Sequence, residues 1–147
     1  MKATQGAGKA LQVAVDPVGV HDRASLETAF ATIRRQRIDA LMTTADAVLL
    51  SYRTLIVEFA DERGLIAMYG DRAYVRAGGL VFYGTSNTDM WRHAATHVDR
   101  IIKGAKPADL PVERNSRFHL VVNLKVARAI GVVVPDTLLR IADEVIE

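Results

Sequence analysis

Apolar positions along the chain change period several times, and each change marks an element. Leu11, Val13 and Val15 alternate with Gln12 and Ala14, which predicts a strand of about five residues ending at Asp16-Pro17. Leu26, Phe30 and Ile33 then recur at i, i+4 and i+7, the stripe of a helix that Asp22 or Ser25 can cap. Ile38 to Met42 is a short apolar run suited to a buried parallel strand, and it opens into Thr43-Thr44-Ala45-Asp46. A second helix is expected from roughly Ala47 to Glu62, burying Leu50, Leu55, Ile56 and Phe59, with Gly64 as its left-handed stop. Leu65 to Tyr69 reads as a third strand opening into Gly70-Asp71, and Asp71 to Arg76 has room for one or two helical turns. The first nine residues are small and polar, a frayed start or the remnant of a helix.

The stretch Gly78-Gly79-Leu80-Val81-Phe82-Tyr83-Gly84 separates two regimes. Glycines on both sides of an apolar strand let the backbone bend and let another group approach closely. It is expected to cross between two lobes with a ligand cleft beside it. Beyond it, Thr88 can cap a helix running to about Lys103, with Trp91, Ala94, Ala95, Val98, Ile101 and Ile102 as its buried stripe and Gly104 as its stop. Residues 105–116 carry two prolines and mixed charge and read as a surface loop. Phe118 to Val122 predicts a strand, and Asn123 can cap a helix through Val126, Ala127 and Ile130 that Gly131 ends. Pro135-Asp136 starts a final amphipathic helix with Leu138, Leu139, Ile141 and Val145.

Strand–helix alternation in the first half is the pattern of a doubly wound α/β sheet, which binds ligands beyond the carboxyl ends of its strands. That rule groups Thr43 to Asp46, Tyr69 to Asp71 and Tyr83-Gly84 into one neighbourhood.

Composition narrows the functional classes. With 147 residues, 50% hydrophobic and 24% charged, the chain has the makings of one globular core. Its 19 basic and 17 acidic side chains nearly balance, and no run of cations alternates with aromatics, so no nucleic-acid partner is expected. The cluster Arg34-Arg35-Arg37 falls at a helix end, where cations complement the dipole. There is no cysteine, which excludes disulfides, thiolate nucleophiles and Cys-ligated metal. No segment approaches the roughly 18 apolar residues of a membrane span, and the amino terminus has no signal-type apolar core.

Few residues suggest catalysis. Asp89, His93 and His97 lie four apart on one helix, and His pairs at i, i+4 can share a metal. Their face is opposite the Trp91–Val98 stripe and no zinc-protease glutamate lies between them, so a solvated polar face is expected and no metal. His21 and His119 suggest no triad. Thr43-Thr44-Ala45-Asp46 before a helix suits an anchor for an anion or amide; equally, Asp46 simply caps the helix and the threonines close the strand. Tyr69, Tyr74, Phe82 and Tyr83 gather aromatics at the same place, as a small-molecule pocket needs, and no carboxylate pair or activated nucleophile accompanies them. Binding is expected, with no catalytic residue and no cofactor.

The order of motifs also resembles a known family. Asp39-Ala40-Leu41 leads to the Asp46 loop and is followed by Ala67-Met68-Tyr69-Gly70 and by Ala77-Gly78-Gly79-Leu80-Val81-Phe82-Tyr83-Gly84. After these come Val98 to Glu113, with its Lys-Gly-Ala-Lys-Pro-Ala-Asp-Leu-Pro-Val-Glu run, then Leu120 to Lys125 and the closing Ala142-Asp143-Glu144-Val145-Ile146-Glu147. Over nearly its whole length the chain resembles the carboxyl-terminal half of ABC-transporter substrate-binding proteins of the tryptophan/tyrosine-binding type. The resemblance implies a type I periplasmic-binding-protein fold: an α/β architecture with a parallel sheet flanked by helices, one nearly complete lobe, a crossover strand and part of the other lobe. Residues 1–79 would be the second-lobe segment, and residues 80–147 the hinge crossover, partial first lobe and final helix.

The family's cleft-lining segments map onto Thr43, Thr44, Asp46, Tyr69, Asp71, Tyr83 and Asn87. It further implies a small solute such as an amino acid, an ABC permease as partner, and a periplasmic or membrane-associated extracytoplasmic location. Read as a native start, the same chain would be cytoplasmic. The amino-terminal lobe, the export signal and the first strand of the second lobe have no counterpart, so about half a binding protein is expected. Its incomplete sheet invites pairing with another chain, and a homo-oligomer follows as an expectation. The alternative is a structural or interaction protein that self-associates and has lost transport.

Overall fold

The computed structural model describes residues 2–113 and 117–147. Residues 1–38 and 39–147 form two compact units. Within the first, helix α1 spans Lys2–Ala10. The strand expected from Leu11 to Val15 does not form, because its backbone is spent on closing this helix. The Leu11 amide donates to the Ala7 and Gly8 carbonyls, the Val13 amide donates to Gly8 at 2.8 Å, and Gln12 turns left-handed at φ 57°. Val15 then packs on the glycine, where a Cβ would lie 2.6 Å from its Cγ2. Helix α2 spans Arg23–Gln36 and uses both residues offered as caps. Asp22 Oδ1 accepts from the Ser25 amide at 2.8 Å, and Ser25 Oγ accepts from the Asp22 amide at 2.9 Å, a reciprocal capping box. Leu26 and Ala29 are buried, while Phe30 and Ile33 are half-buried.

The second unit is built on one five-stranded sheet, whose strands lie side by side in chain order. They are β1 (Ala40–Met42), β2 (Ile66–Tyr69), β3 (Val81–Thr85), β4 (Phe118–Asn123) and β5 (Glu144–Ile146). The first three run parallel, β4 is antiparallel to β3, and β5 is parallel to β4. As an edge strand β1 is not buried as expected: Ala40 and Met42 are exposed. Between β1 and β2 the expected single helix is two, α3 (Ala47–Ser51) and α4 (Arg53–Glu62), broken at Tyr52. Ile56, Val57, Phe59 and Ala60 of α4 are buried, and Gly64 ends it at φ 62°. Helix α5 is the short turn Ala73–Arg76.

After β3, Ser86 rather than Thr88 caps helix α6, Asn87–Ile102. A Pro107–Asp109 turn follows, and residues 114–116 of the expected loop lie outside the described residues. Asn123 caps α7 (Leu124–Ala129) as expected, accepting from the Val126 amide at 3.2 Å. The final helix is shorter than its pattern predicts. Helix α8 covers Asp136–Ile141, and Val145 belongs to β5, because the last residues find an open edge on β4.

Helix α6 departs most from expectation. Its apolar stripe is outward: Trp91 is 73% exposed, Val98 54% and Ile102 79%, and no residue of the helix is buried. The sequence correctly makes the helix amphipathic. What lies against its inner side is the polar face, through contacts described below.

The core of this unit sits around β2 and β3. Phe82 packs with Val75, Val121 and half-buried Ile146. Tyr69 and Tyr74 are fully buried and stack at 4.6 Å between ring centroids with planes 10° apart. The stack requires a glycine beside it: a Cβ on Gly79 would stand 2.6 Å from the Tyr69 ring and 2.9 Å from the Tyr74 carbonyl. Gly78 takes the left-handed turn at φ 101°. Gly79→Ala should therefore cost about 1–3 kcal/mol by overpacking, read as a fall in melting temperature. Gly6→Ala, where nothing lies within 4 Å of the new methyl, should be neutral or stabilising. Equal melting temperatures for the two variants would contradict this packing.

Candidate functional site

The turns that follow β1, β2 and β3 meet through their backbones. The Thr43 amide donates to the Met68 carbonyl at 3.0 Å, so the chain leaving β1 stays paired to β2 for one more residue. A Cβ on Gly70 would stand 2.6 Å from the Ala45 nitrogen and 2.8 Å from the Thr44 carbonyl carbon. One on Gly84 would stand 3.0 Å from the Gly70 oxygen. Only hydrogens fit at these two positions, and the result is the neighbourhood that the carboxyl-end rule selects.

The structure distributes the seven sequence-predicted residues unevenly over this neighbourhood. Asp46 caps α3, its Oδ1 accepting from the Val48 and Leu49 amides at 2.9 and 3.0 Å. Asp71 uses Oδ1 to accept from the Ala73 amide at 2.8 Å and Oδ2 to accept from the Asn87 side-chain amide at 3.3 Å, tying the β2 turn to the start of α6. Thr44 is exposed in the β1 turn and Thr43 is buried. Tyr69 lies beneath the site in the core, where burial pushes its phenol up. Tyr83 is carried by strand alternation to the face opposite Phe82 and Gly84, and it stacks half-exposed on Phe118 at 5.3 Å.

Tyr74, grouped with the aromatics of this neighbourhood in the sequence, comes to it from the α5 turn. Burial, joined by the Asp71 and Asp46 carboxylates, pushes its phenol up to about 12, while Thr43 and Arg53 act in the other direction. Its hydroxyl and the Thr43 hydroxyl are both buried, and neither makes a well-formed hydrogen bond among the described residues.

A second polar group of side chains lies along the inner face of α6. His119 of β4 has Nε2 3.5 Å from Asp89 Oδ2 and Nδ1 3.8 Å from Asp143 Oδ1. His93 Nδ1 lies 3.1 Å and His97 Nε2 3.9 Å from Glu113 Oε2. This is the face expected in solvent, and His93 is exposed on it. Half-buried Asp89 and His97 form with it a seam toward His119 of β4 and Glu113 in the loop beyond α6. Among the described residues no group of three His, Asp or Glu side chains is arranged to hold a metal. Nor is any helix among them long and apolar enough to cross a membrane.

Comparison with known proteins adds the family context. The family described as ABC transporter substrate binding protein matches residues 1–146. No curated protein sequence matches the chain. Among solved structures, an ABC domain from Streptococcus pneumonia in complex with L-Trp is similar at TM-score 0.88 and 23% identity, covering 99% of this chain and 50% of that one. A conserved domain protein from Vibrio cholerae reaches TM-score 0.89 at 19% identity, with 99% and 49% covered. The ligand-free, open structure of a substrate binding protein with adhesive properties from Clostridium difficile reaches 0.67 at 17%, with 99% and 48% covered. The chain thus spans about half the length of these structures.

The α6 seam predicts an acid dependence. A hydrogen bond with His93, helped by the His97, His93 and Arg100 charges against partial desolvation, holds the Glu113 carboxyl below its ordinary 4.5. For Asp89, desolvation acts to raise the carboxyl, and His119, Arg92 and Ser86 outweigh it, leaving it below 3.8. A depressed carboxyl contributes stability that is present above its unfolded pKa and lost as pH falls through its folded one. Protection of α6 amides from hydrogen exchange should fall below about pH 4 ahead of the β2–β3 core. Simultaneous loss in both regions would contradict it.

Proposed function

Because this chain belongs to the ABC transporter substrate-binding protein family, we propose that it binds a small organic solute such as an amino acid at the turns following β1, β2 and β3. It acts by binding rather than by catalysis, as a component or derivative of an importer that delivers solute to an ABC permease outside the cytoplasm. The observation that carries this reading is the meeting of the Thr43–Asp46, Gly70–Asp71 and Gly84 turns through glycine-only backbone contacts. Around them stand two carboxylates, an amide and hydroxyls, which suit an ammonium group and a polar backbone. Thr43, Thr44, Asp46, Asp71 and Asn87 are the contacts on this reading. Tyr69 supports them from the core, and Tyr83, stacked on Phe118 across the sheet, is not a contact on this reading. The L-Trp bound to the Streptococcus pneumonia domain makes amino acids with aromatic side chains the first to try. Residues 1–79 stand in this proposal as the second-lobe segment, and residues 80–147 as crossover, partial first lobe and final helix.

A second reading, favoured by the outward apolar stripe of α6, is a protein that self-associates as a homo-oligomer and has lost transport. Melting the chain with a panel of L-amino acids separates the two. A ligand at 100 times its Kd should stabilise by about 2.7 kcal/mol, a rise of several degrees. Asp71→Asn should abolish that rise while keeping the ligand-free melting temperature within about 2 °C. Indifference to every amino acid would remove the binding reading and leave the second.

A further inference from the structure

The side chains at the three joined turns select one end of a solute, an inference that rests on the binding reading above. Asp46 and Asp71 spring from backbones already in contact: a Cβ on Gly70, next to Asp71, would stand 2.6 Å from the nitrogen of Ala45, next to Asp46. The cap on α3 uses Oδ1 of Asp46. Asp71 spends Oδ1 on the Ala73 amide, and its Oδ2 accepts a long 3.3 Å bond from Asn87. Each carboxylate oxygen has two lone pairs, so both side chains keep acceptor capacity. The cations adjoining the turns are engaged by their own chain. Arg72 pairs with Glu144 of β5, and Arg53 Nη1 donates to the Leu50 carbonyl at 3.3 Å.

Two further polar atoms belong to the same place. Tyr74 is 1% exposed and Thr43 8%, and their hydroxyl oxygens are buried without a well-formed hydrogen bond among the described residues. The Asp71 and Asp46 carboxylates both act on the Tyr74 hydroxyl, with Arg53 as the opposing cation, so the hydroxyl is aimed at the acidic side of the turns. A buried hydroxyl lacking a good partner costs free energy, which a ligand completing its bonding recovers.

We propose that these turns recognise the ammonium group of a primary amine, held by Asp46 and Asp71 with the Tyr74 and Thr43 hydroxyls, and that the solute needs no carboxylate to be held there. An ammonium brings three donors and no acceptor, and every one of these four side chains can accept. A carboxylate at the same spot would meet two like charges. The ligand class is therefore wider than amino acids and includes aromatic amines that lack the carboxylate.

Equilibrium dialysis of the chain against three indole compounds tests this. L-Tryptophan carries both groups, tryptamine the amine alone and indole-3-propionate the carboxylate alone. Tryptamine should bind within a few-fold of L-tryptophan, and indole-3-propionate at least about tenfold more weakly. Asp46→Asn keeps the α3 cap, because asparagine caps as well as aspartate, and should weaken tryptamine about tenfold. Tyr74→Phe keeps the ring stacked on Tyr69 and should weaken tryptamine about tenfold with an equal or higher melting temperature. A purely structural hydroxyl would instead lower the melting temperature and leave the affinity alone. Binding of L-tryptophan and indole-3-propionate without tryptamine would overturn this inference and leave the binding reading standing. Unchanged tryptamine affinity in either variant would overturn the placement of the ammonium, and failure of all three compounds to bind would remove the binding reading with it.

Discussion

Close backbone approach at glycine organises the sheet-bearing unit. The Tyr69–Tyr74 stack is seated against Gly79, the β1 turn lies against Gly70, and Gly84 admits the Gly70 carbonyl. A single methyl at any of the three would push a strand end away from its neighbour. Because interiors are close-packed, such a displacement is transmitted rather than absorbed. The same contacts that seal the core beneath β2 and β3 therefore bring three turns together above it. Fold and candidate site share one cause. Tyr74 shows the link: its ring belongs to the core, and its hydroxyl faces the Asp46 and Asp71 side of the molecule.

Much of this was legible in the sequence. Short-range signals read true wherever one residue type has one physical use. Asp22 with Ser25, Asp46 and Asn123 each cap a helix, and Gly64, Gly104 and Gly131 each end one with positive φ. The three parallel strands and their turns also follow from apolar runs closed by polar or glycine residues. Leu11 to Val15 failed because alternation is a weaker constraint than a helix end that needs its carbonyls satisfied. Val145 was misread as helical because two or three apolar residues cannot distinguish a last helical turn from a short edge strand.

Helix α6 marks a different limit. Periodicity identifies an apolar face and cannot say what covers it. Here the histidines and acids of α6 reach His119 and Glu113, and the apolar stripe is left outside. Among the expected site residues, the rule that places ligands beyond strand ends grouped Thr43 to Asp46, Tyr69 to Asp71 and Tyr83, and the family resemblance added Asn87. The fold separates two of them from the rest: Tyr69 lies in the core and Tyr83 on the opposite face of the sheet.

The central claim is that the three joined turns hold a solute. The most direct measurement is an amide proton–nitrogen NMR titration of the 15N-labelled chain with L-tryptophan. The account predicts saturable shifts centred on Thr43 to Asp46, Gly70-Asp71 and Asn87, with α1 and α8 unmoved. Saturable shifts confined to other elements, or a spectrum unchanged at millimolar ligand, would contradict it.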